Sequence, residues 1–341
     1  MTLRFGIILA LAALVVASLS IGAASLWSGG FDAAWLIAVS RFPRTAAALL
    51  TGAGLALAGV IMQQSVQNRL VEPGLTGTPE AATLGLLAVT LIAPGIVIFG
   101  KMTIAAASAL AGTFGFLALS RFVPRHDPML LPLVGIIYGG ILGAVGLWFA
   151  WNADLLQFVG IAMLGDFSGV MQGRYELLWI IAALSGVLFL IADRITILGL
   201  GEDYARSLGL NYFQTQMLGL VIVAITVAVV VVTVGSMPFV GLIVPNLISR
   251  WRGDNIRANL WVVALTGAAL VLASDILGRV VRYPYEIPAA TIFAVFGAAV
   301  FLWLLYAPPR RKPQLDGNRR KPLLGRDRRK PQMDSNRKGA A

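Results

Sequence analysis

The sequence lacks cysteine altogether and has a single histidine among its 341 residues. Without thiols, the chain forms no disulfides, holds no thiolate zinc site and has no cysteine nucleophile. The one histidine, His126, lies in the charged connector RFVPRHDP, where a solvated loop residue is expected. Zinc sites need several nitrogen or sulfur ligands. We therefore expect no metal, no cofactor and no catalytic residue in this chain.

Charged side chains are also scarce, at 13% of residues against about a quarter in a typical soluble domain. Hydrophobic residues make up 58%, so lipid solvates this chain better than water does. Most of the net charge of +11 lies at the C-terminus, where twelve Lys or Arg and three Asp or Glu follow residue 309. The basic character belongs to this tail, and we do not expect binding to nucleic acid.

Apolar segments follow one another along the chain with short breaks. They predict helices because backbone polar groups in lipid must be satisfied within their own segment. The predicted fold is an all-α integral membrane protein, a polytopic bundle of about ten transmembrane helices. A shorter apolar stretch at roughly 155–165 predicts a re-entrant or interfacial helix. The ten segments are roughly 5–27, 44–65, 78–98, 101–121, 129–150, 175–192, 215–235, 240–251, 258–280 and 287–306.

The first apolar run could be a signal peptide or a transmembrane helix. It extends from Phe5 to Trp27. That length approaches the roughly 20 residues that cross a bilayer, which favours an uncleaved first helix. With the N-terminus inside, ten crossings place both termini in the cytoplasm and most Lys and Arg on that side. Six basic residues nevertheless fall outside: Arg41, Arg44, Lys101, Arg174, Arg279 and Arg282.

We predict a transmembrane domain over residues 1–308 and a separate tail over residues 309–341. The tail repeats a nine-residue unit, as RRKPQLDGN, RRKPLLGRD and RRKPQMDSN. Proline in every copy and few large apolar residues predict a disordered cytoplasmic segment. Such a segment is either a passive extension or a contact for anionic lipid headgroups.

The motifs of several enzyme classes are missing. There is no phosphate-binding GxxxxGK[ST] loop and no GxSxG, so the chain is not expected to hydrolyse ATP or act as an intramembrane hydrolase. The predicted spans are almost free of ionisable groups, which disfavours a proton-coupled secondary transporter. The main exception is Asp275 with Arg279, four residues apart on one helix face, which predicts an ion pair of structural or functional importance.

One cytoplasmic connector has the pattern of a docking element. The segment 193–214 reads DRITILGLGEDYARSLGLNYFQ and contains a short amphipathic stretch from Tyr204 to Leu210. A short helix along the membrane face could insert into a groove on a partner. Since the chain itself lacks an energy source, this segment indicates docking to a separate subunit that supplies the energy for transport.

Three blocks resemble the permease subunits of the FecCD family, the type II ABC importers for iron–siderophores, haem and cobalamin. The first, RFPRTAAALLTGAGLALAGVIMQQSVQNRLVEPGLTG, runs from Arg41 to Gly77. The second, GEDYARSLGLN, runs from Gly201 to Asn211. The third is GSMPFVGLIVPNLISRWRGDN, followed by SDILGR and EIP. The blocks occur in the family order and cover roughly residues 35–306.

Two departures from the family pattern narrow the expected substrate. Asn246 stands where many members have His, and Arg69 stands where many have Pro. Both are shared by a subgroup that resembles the ferric anguibactin and petrobactin permeases, as does the string MLGDFSGVMQGRYE. The resemblance therefore favours a ferric siderophore, with cobalamin or haem as the alternative. It also implies a second permease chain, either a non-identical sister or another copy.

The resemblance further implies a mechanism in the bacterial inner membrane, with two ATP-binding subunits below and a periplasmic siderophore-binding protein above. Arg41, Arg44 and Arg279 match family arginines that face acidic residues of the binding protein. The coupling segment that sits in the ATP-binding subunit is matched by Gly201, Glu202, Asp203, Ala205, Leu208 and Gly209. In this interpretation the chain is a non-catalytic subunit.

Overall fold

The computed structural model describes residues 2–22, 32–120, 122–123, 130–253 and 255–306. These residues form helices, turns and loops, and no strand occurs among them. A π-helical segment, Ile37–Arg41, joins the second helix to the third, and 3-10 turns form at Pro73–Thr76 and Glu176–Leu178. The α-helices are α1 (Thr2–Ser20), α2 (Ala33–Leu36), α3 (Phe42–Val66), α4 (Thr78–Ile92), α5 (Ile98–Ser120), α6 (Leu130–Asn152), α7 (Leu156–Met163), α8 (Trp179–Leu190), α9 (Ala192–Leu198), α10 (Glu202–Ser207), α11 (Tyr212–Thr233), α12 (Val240–Arg252), α13 (Ile256–Val280) and α14 (Ala289–Tyr306).

The predicted all-α class is confirmed. Each of the ten predicted apolar segments overlaps a helix, and the short stretch at 155–165 coincides with α7. The described part of the first segment is helical only as far as Ser20, since residues 23–31 lie outside the described ranges. His126 and the predicted tail over 309–341 also lie outside them, so the domain boundary stays a prediction.

Fewer helices than ten have the length and composition of a membrane span. Five do so among the described residues, and a sixth is formed if the pair Glu176–Leu190 and Ala192–Leu198, bent by 68°, counts as one broken span. Three shorter apolar helices, in α1, α4 and α14, accompany them. The chain is therefore a multi-pass membrane protein, while the count of ten crossings rests on the sequence prediction. The five long spans are Ala33–Val66, Ile98–Ser120, Pro132–Asn152, Tyr212–Thr233 and Ile256–Val280.

The centre of the bundle is α3, which packs against α13, α11, α12 and α1. Small residues make a close crossing with α13 possible. A Cβ added to Gly52 would lie 2.3 Å from the Gly267 carbonyl oxygen, and a Cβ on Gly267 would lie 2.3 Å from that of Gly52. Such backbone contact is a main source of helix association in lipid. It fixes α3 against α13 and so positions the charged residues at the ends of both helices.

Candidate functional site

Two clusters of predicted site residues form at opposite ends of α3. We call the end of the bundle where α1 ends and α3 begins the outer end, after the predicted orientation. The inner end is the one where α3 ends. The three predicted docking arginines lie at the outer end, and the predicted coupling segment lies at the inner end.

Asp275 is the centre of the outer cluster, and only 1% of its side chain is exposed. Arg44 donates to it from Nε at 3.1 Å and from Nη2 at 2.7 Å. Arg279 Nη2 donates to its other carboxylate oxygen at 2.5 Å, which forms the ion pair that the spacing of four residues predicts. Arg44 Nη1 also pairs with Glu286 Oε2 at 2.9 Å. Charge-assisted bonds of this kind hold α3, α13 and the segment before α14 together.

Two of the arginines also cap the C-terminal end of α1. Arg41 Nη1 donates to the carbonyl oxygens of Leu19 and Ser20, at 2.7 and 2.9 Å. Arg279 Nη1 donates to those of Ser18 and Ile21, at 3.0 and 2.9 Å. The last carbonyls of a helix lack partners within it and carry partial negative charge, so cations are favourable there. The outer cluster therefore anchors α1 to the bundle.

The structure brings Arg41, Arg44 and Arg279 together but directs their contacts into this chain. Arg41 is 6% exposed and Arg279 is 5% exposed. More accessible groups lie beside them on the segment before α14, where Arg282 stacks over Tyr285 with its guanidinium carbon 6.0 Å from the ring centroid. Sequence reasoning did not assign Glu286 to this cluster, although its EIP motif belongs to the third resembling block.

The coupling segment folds as the short helix α10 between two glycines. Gly201 precedes the helix with φ +103°, and Gly209 follows it with φ +79°. Bonds from Gly209 N to Arg206 O and from Leu210 N to Ala205 O, both 2.9 Å, close the end of the helix. Only glycine adopts positive φ without steric cost, so the backbone itself requires both residues.

One face of α10 is buried and another is apolar and exposed. Ala205 is fully buried, and α10 packs against α9 and α11. Tyr204 and Leu208 are 70% and 62% exposed, and Leu200, four residues earlier, is exposed as well. This apolar surface therefore matches the position of the predicted docking element. The predicted amphipathic stretch from Tyr204 to Leu210 included Tyr204 and Leu208 but not Leu200, although its spacing of four residues from Tyr204 was a readable signal.

The remaining predicted coupling residues are polar and lie at the start of α10. Glu202 pairs with Arg206 across one turn at 2.6 Å, and both side chains remain accessible. Asp203 is exposed beside them. An exposed pair of this kind adds little to folding stability. These charges are therefore available to a partner that approaches the inner end.

A sequence model of the FecCD transport family matches residues 5–307, which is nearly all of the described chain. The chain belongs to the FecCD transport family. The matched residues include the clusters at both ends of α3 and the three blocks that carry the resemblance.

Among FecCD relatives, the ferric-anguibactin transport system permease protein FatD of Vibrio anguillarum is 40% identical over 308 residues. The alignment covers 89% of this chain and 98% of that protein. The petrobactin import system permease protein FatD of Bacillus anthracis is 37% identical, with 88% and 91% covered. A vitamin B12 import system permease protein of Serratia proteamaculans is 34% identical, with 87% and 90% covered.

The fold also matches a solved structure described as a metal-chelate type ABC transporter in an inward-facing conformation. The TM-score is 0.77 at 27% identity, and the alignment covers 89% of this chain and 99% of that one. The helical arrangement around α3 is thus shared with an ABC transporter over nearly its whole length.

Proposed function

We propose that this FecCD chain is the permease subunit of an ATP-driven ABC importer that carries a ferric siderophore across the bacterial inner membrane. The observation that carries the proposal is the 40% identity to a ferric-anguibactin permease over 98% of that protein. The fold of a metal-chelate ABC transporter supports it independently. Two copies of a separate ATP-binding subunit hydrolyse ATP, and this chain supplies the pathway.

In this proposal the chain crosses the membrane ten times and both termini are cytoplasmic. The crossings are α1, α3, α4, α5, α6, α8 with α9, α11, α12, α13 and α14. The two clusters support this alternation. The end of α1, the start of α3 and the end of α13 meet through Arg41, Arg44 and Arg279. The end of α3 meets the start of α13 and the segment that leads into α10 around a cavity at the other end.

The ATP-binding subunits dock on α10. The exposed side chains of Leu200, Tyr204 and Leu208 supply apolar contact area, and Glu202, Asp203 and Arg206 surround them with polar groups. An apolar centre with a polar rim is the usual anatomy of a protein interface. The short rigid helix between Gly201 and Gly209 presents this surface as one unit.

A periplasmic siderophore-binding protein docks at the outer end, over Arg41, Arg44 and Arg279. Because these three side chains hold helix ends in place, we propose that they shape the docking surface and contribute its positive field. The more accessible Arg282 lies within the same surface. Charges of this kind mainly increase the rate of encounter and fix its register.

A second permease chain, either a sister or another copy, covers the exposed face of α6. Large apolar side chains project from this helix, and little of it is buried within the chain. Lipid or a second chain could cover such a face, and the family's two-chain architecture favours the second chain. The exposed side chains include Ile136, Ile137, Ile141, Trp148 and Trp151.

Vitamin B12 is the second candidate substrate, because B12 import permeases align along most of the chain. Their identity of 34% is lower than the 40% found with the ferric-anguibactin permease. The higher sequence identity to the ferric-anguibactin permease, over a similar length, thus favours a ferric siderophore over vitamin B12 as the substrate.

The deciding experiment measures uptake of radiolabelled iron, supplied as several ferric siderophores, in cells that lack only this gene. Labelled cobalamin and haem are measured in parallel. We expect loss of uptake for one ferric siderophore, with recovery when the intact chain is restored. Loss of cobalamin or haem uptake alone would change the assigned substrate to that compound. Unchanged uptake of all three in cells without another importer would overturn the proposal.

A Glu charge reversal of Arg282 tests the outer docking surface in the same cells. Because Arg282 is exposed and forms no ion pair with the described residues, Arg282→Glu changes the field without breaking the buried cluster. We expect slower uptake at low ligand concentration and normal uptake at saturation. Lys101→Glu, in the first turn of α5, is the matched control.

A further inference from the structure

The last turn of α3 and the residue that caps it carry three glutamines that contact different parts of the inner end. Gln63, Gln64 and Gln67, which we call the glutamine link, follow one another within five residues. Two of them face the segment that leads into α10, and one faces α12. The end of α3 therefore lies between the docking surface proposed above and a helix that contributes no side chain to that surface.

Gln63 is tied to α12 by a consequence of proline chemistry. Pro245 lies inside α12 and has no backbone N–H, so the Gly241 carbonyl four residues earlier loses its helical donor. Gln63 is buried, and its Nε2 donates to that carbonyl at 3.2 Å. A buried carbonyl without a donor is costly. The contact between α3 and α12 is thus specific at this position.

Gln64 and Gln67 lie close to the segment that leads into α10, at two glycines that have no side chain. A Cβ added to Gly199 would lie only 1.8 Å from Gln64 Oε1. A Cβ added to Gly201 would lie 3.0 Å from Gln67 Nε2. The backbone at both glycines therefore lies close to glutamine side chains at the end of α3.

The loop after α3 holds α12 a second time. Asn246 Nδ2 donates to the Arg69 carbonyl at 2.8 Å. Arg69 Nη1 in turn donates to Ser249 Oγ at 3.3 Å. The two positions that depart from the family pattern are thus bonded to each other, and they extend the contact between α3 and α12 by more than one turn of α12.

A cavity of about 300 Å3 lies between α12 and the end of α9 with the segment that leads into α10. Its lining includes Thr196 and Gly199 on one side, Asn246 and Ser249 on another, and Gln63 and Gln64 from α3. The space separates the approach to α10 from α12, and the glutamine link lies at its edge. The space also allows α12 to shift without first compressing a packed core.

We infer that the glutamine link transmits the movement of α10 to α12, so that docking of the ATP-binding subunit and the position of α12 change together. This inference rests on the proposed importer function. The three side chains act as positioning residues, since none of them belongs to α10. Two sites coupled in this way share a coupling free energy that substitutions in the link reduce.

The test uses the intact importer, with its ATP-binding subunits and binding protein, in liposomes. Because this chain has no cysteine, spin labels can be placed at Thr196→Cys in the cavity wall and at Trp251→Cys, an exposed position on α12. We expect the distance between the labels to change when ATP and vanadate are added. The change should be lost in Gln64→Ala and in Gly199→Ala, and retained in Gln214→Ala, which alters an exposed glutamine on α11.

Transport per ATP supplies the second readout. In Gln64→Ala and Gln63→Met we expect ATP hydrolysis to persist while ferric siderophore taken up per ATP falls by about tenfold, within the usual range of coupling between linked sites. Thermal unfolding of each variant confirms that it is folded. A structural role alone would lower hydrolysis and uptake together.

Several results would overturn the inference. These are an unchanged label distance in the parent complex, a normal distance change in the link variants, or an unchanged ratio of uptake to hydrolysis. A wrong substrate assignment would give a different result from a wrong inference about the glutamine link. In that case the parent complex shows the ATP-dependent distance change, and the link variants lose it, while no ferric siderophore is taken up.

Discussion

Asp275 shows how a carboxylate is accommodated inside a membrane protein. It accepts bonds from both Arg44 and Arg279, and Arg279 in turn satisfies carbonyls at the end of α1. A buried charge is tolerated only when it is paired and hydrogen-bonded. The pair at a spacing of four residues is therefore part of a larger cluster that joins three helices.

We expect Arg279→Met to destabilise the chain by about 3 kcal/mol, since removing one member of a buried ion pair leaves an uncompensated charge. The same change removes two donors from the end of α1. Thermal unfolding in detergent measures the effect. Arg282→Met, at an exposed position in the next turn, is the control and should alter stability by less than about 0.5 kcal/mol. Equal midpoints for the two variants would contradict a stabilising role for the cluster.

Gly52 stabilises the bundle because it has no side chain. Its Cα faces the backbone of α13, where a side chain has no room. In contrast, Gly186 in α8 has open space where a Cβ would be built. The two glycines thus differ in environment, although both lie in apolar helices.

Gly52→Ala should destabilise the chain by about 1–3 kcal/mol, because the added methyl group forces α3 and α13 apart. Gly186→Ala should be neutral or slightly stabilising, because alanine has the higher helix propensity. Both are measured by thermal unfolding in detergent. If Gly186→Ala proved the more harmful change, the close crossing of α3 and α13 would not be a source of stability.

At the scale of elements, α10 is a short helix with a defined beginning and end. Two positive-φ glycines bound it, Ala205 anchors it, and Tyr204 and Leu208 project outward. A helix of this length is unstable alone, so its conformation depends on packing against α9 and α11. Its exposed residues are therefore presented on a rigid base.

A double change of Tyr204→Ala and Leu208→Ala should weaken association with the ATP-binding subunit by at least about tenfold, as for central apolar residues of other interfaces. Folding should be unaffected because both side chains are exposed. Co-purification and titration of the subunit measure the change. Ile92→Ala, which removes an equally exposed apolar side chain at the far end of α4, is the control. Undiminished association in the double variant would move the docking site away from α10.

The approach of α3 to α12 is also a property of elements. Pro245 removes a donor from α12, and Gln63 from another helix replaces it. The two residues are 182 positions apart in the sequence, and only the packing of α3 against α12 brings them together. This contact provides the basis for the proposed coupling between the docking surface and α12.

For the whole molecule, the sequence predicts a basic tail that is independent of the helical bundle. Removal of residues 309–341 should leave the thermal unfolding midpoint of the bundle unchanged, since the tail has few large apolar residues to bury. The measurement compares the full chain with the truncated chain in the same detergent. A clear drop in the midpoint would place the tail within the folded domain. Removal of α14 from residue 289 onward serves as the destabilising comparison.

The membrane class, the all-α fold and the membership of the FecCD family could all be predicted from the sequence. These properties depend on composition, on apolar segment length and on local motifs, which are fixed along the chain. The ion pair of Asp275 and Arg279 could be read from the chain as well, because it depends on spacing within one helical turn. The amphipathic stretch predicted over Tyr204–Leu210 overlaps α10 but differs from its bounds, Glu202–Ser207.

Other features depended on contacts between distant segments. The sequence did not reveal that Arg41 and Arg279 cap α1, that Arg44 and Glu286 complete the outer cluster, or that Arg69 and Asn246 contact each other. Helical periodicity identifies the residues that share a face of one helix, but it does not specify which other helix covers that face. In lipid that choice is made by close backbone packing and by polar groups that must find partners, and only the tertiary structure supplies both.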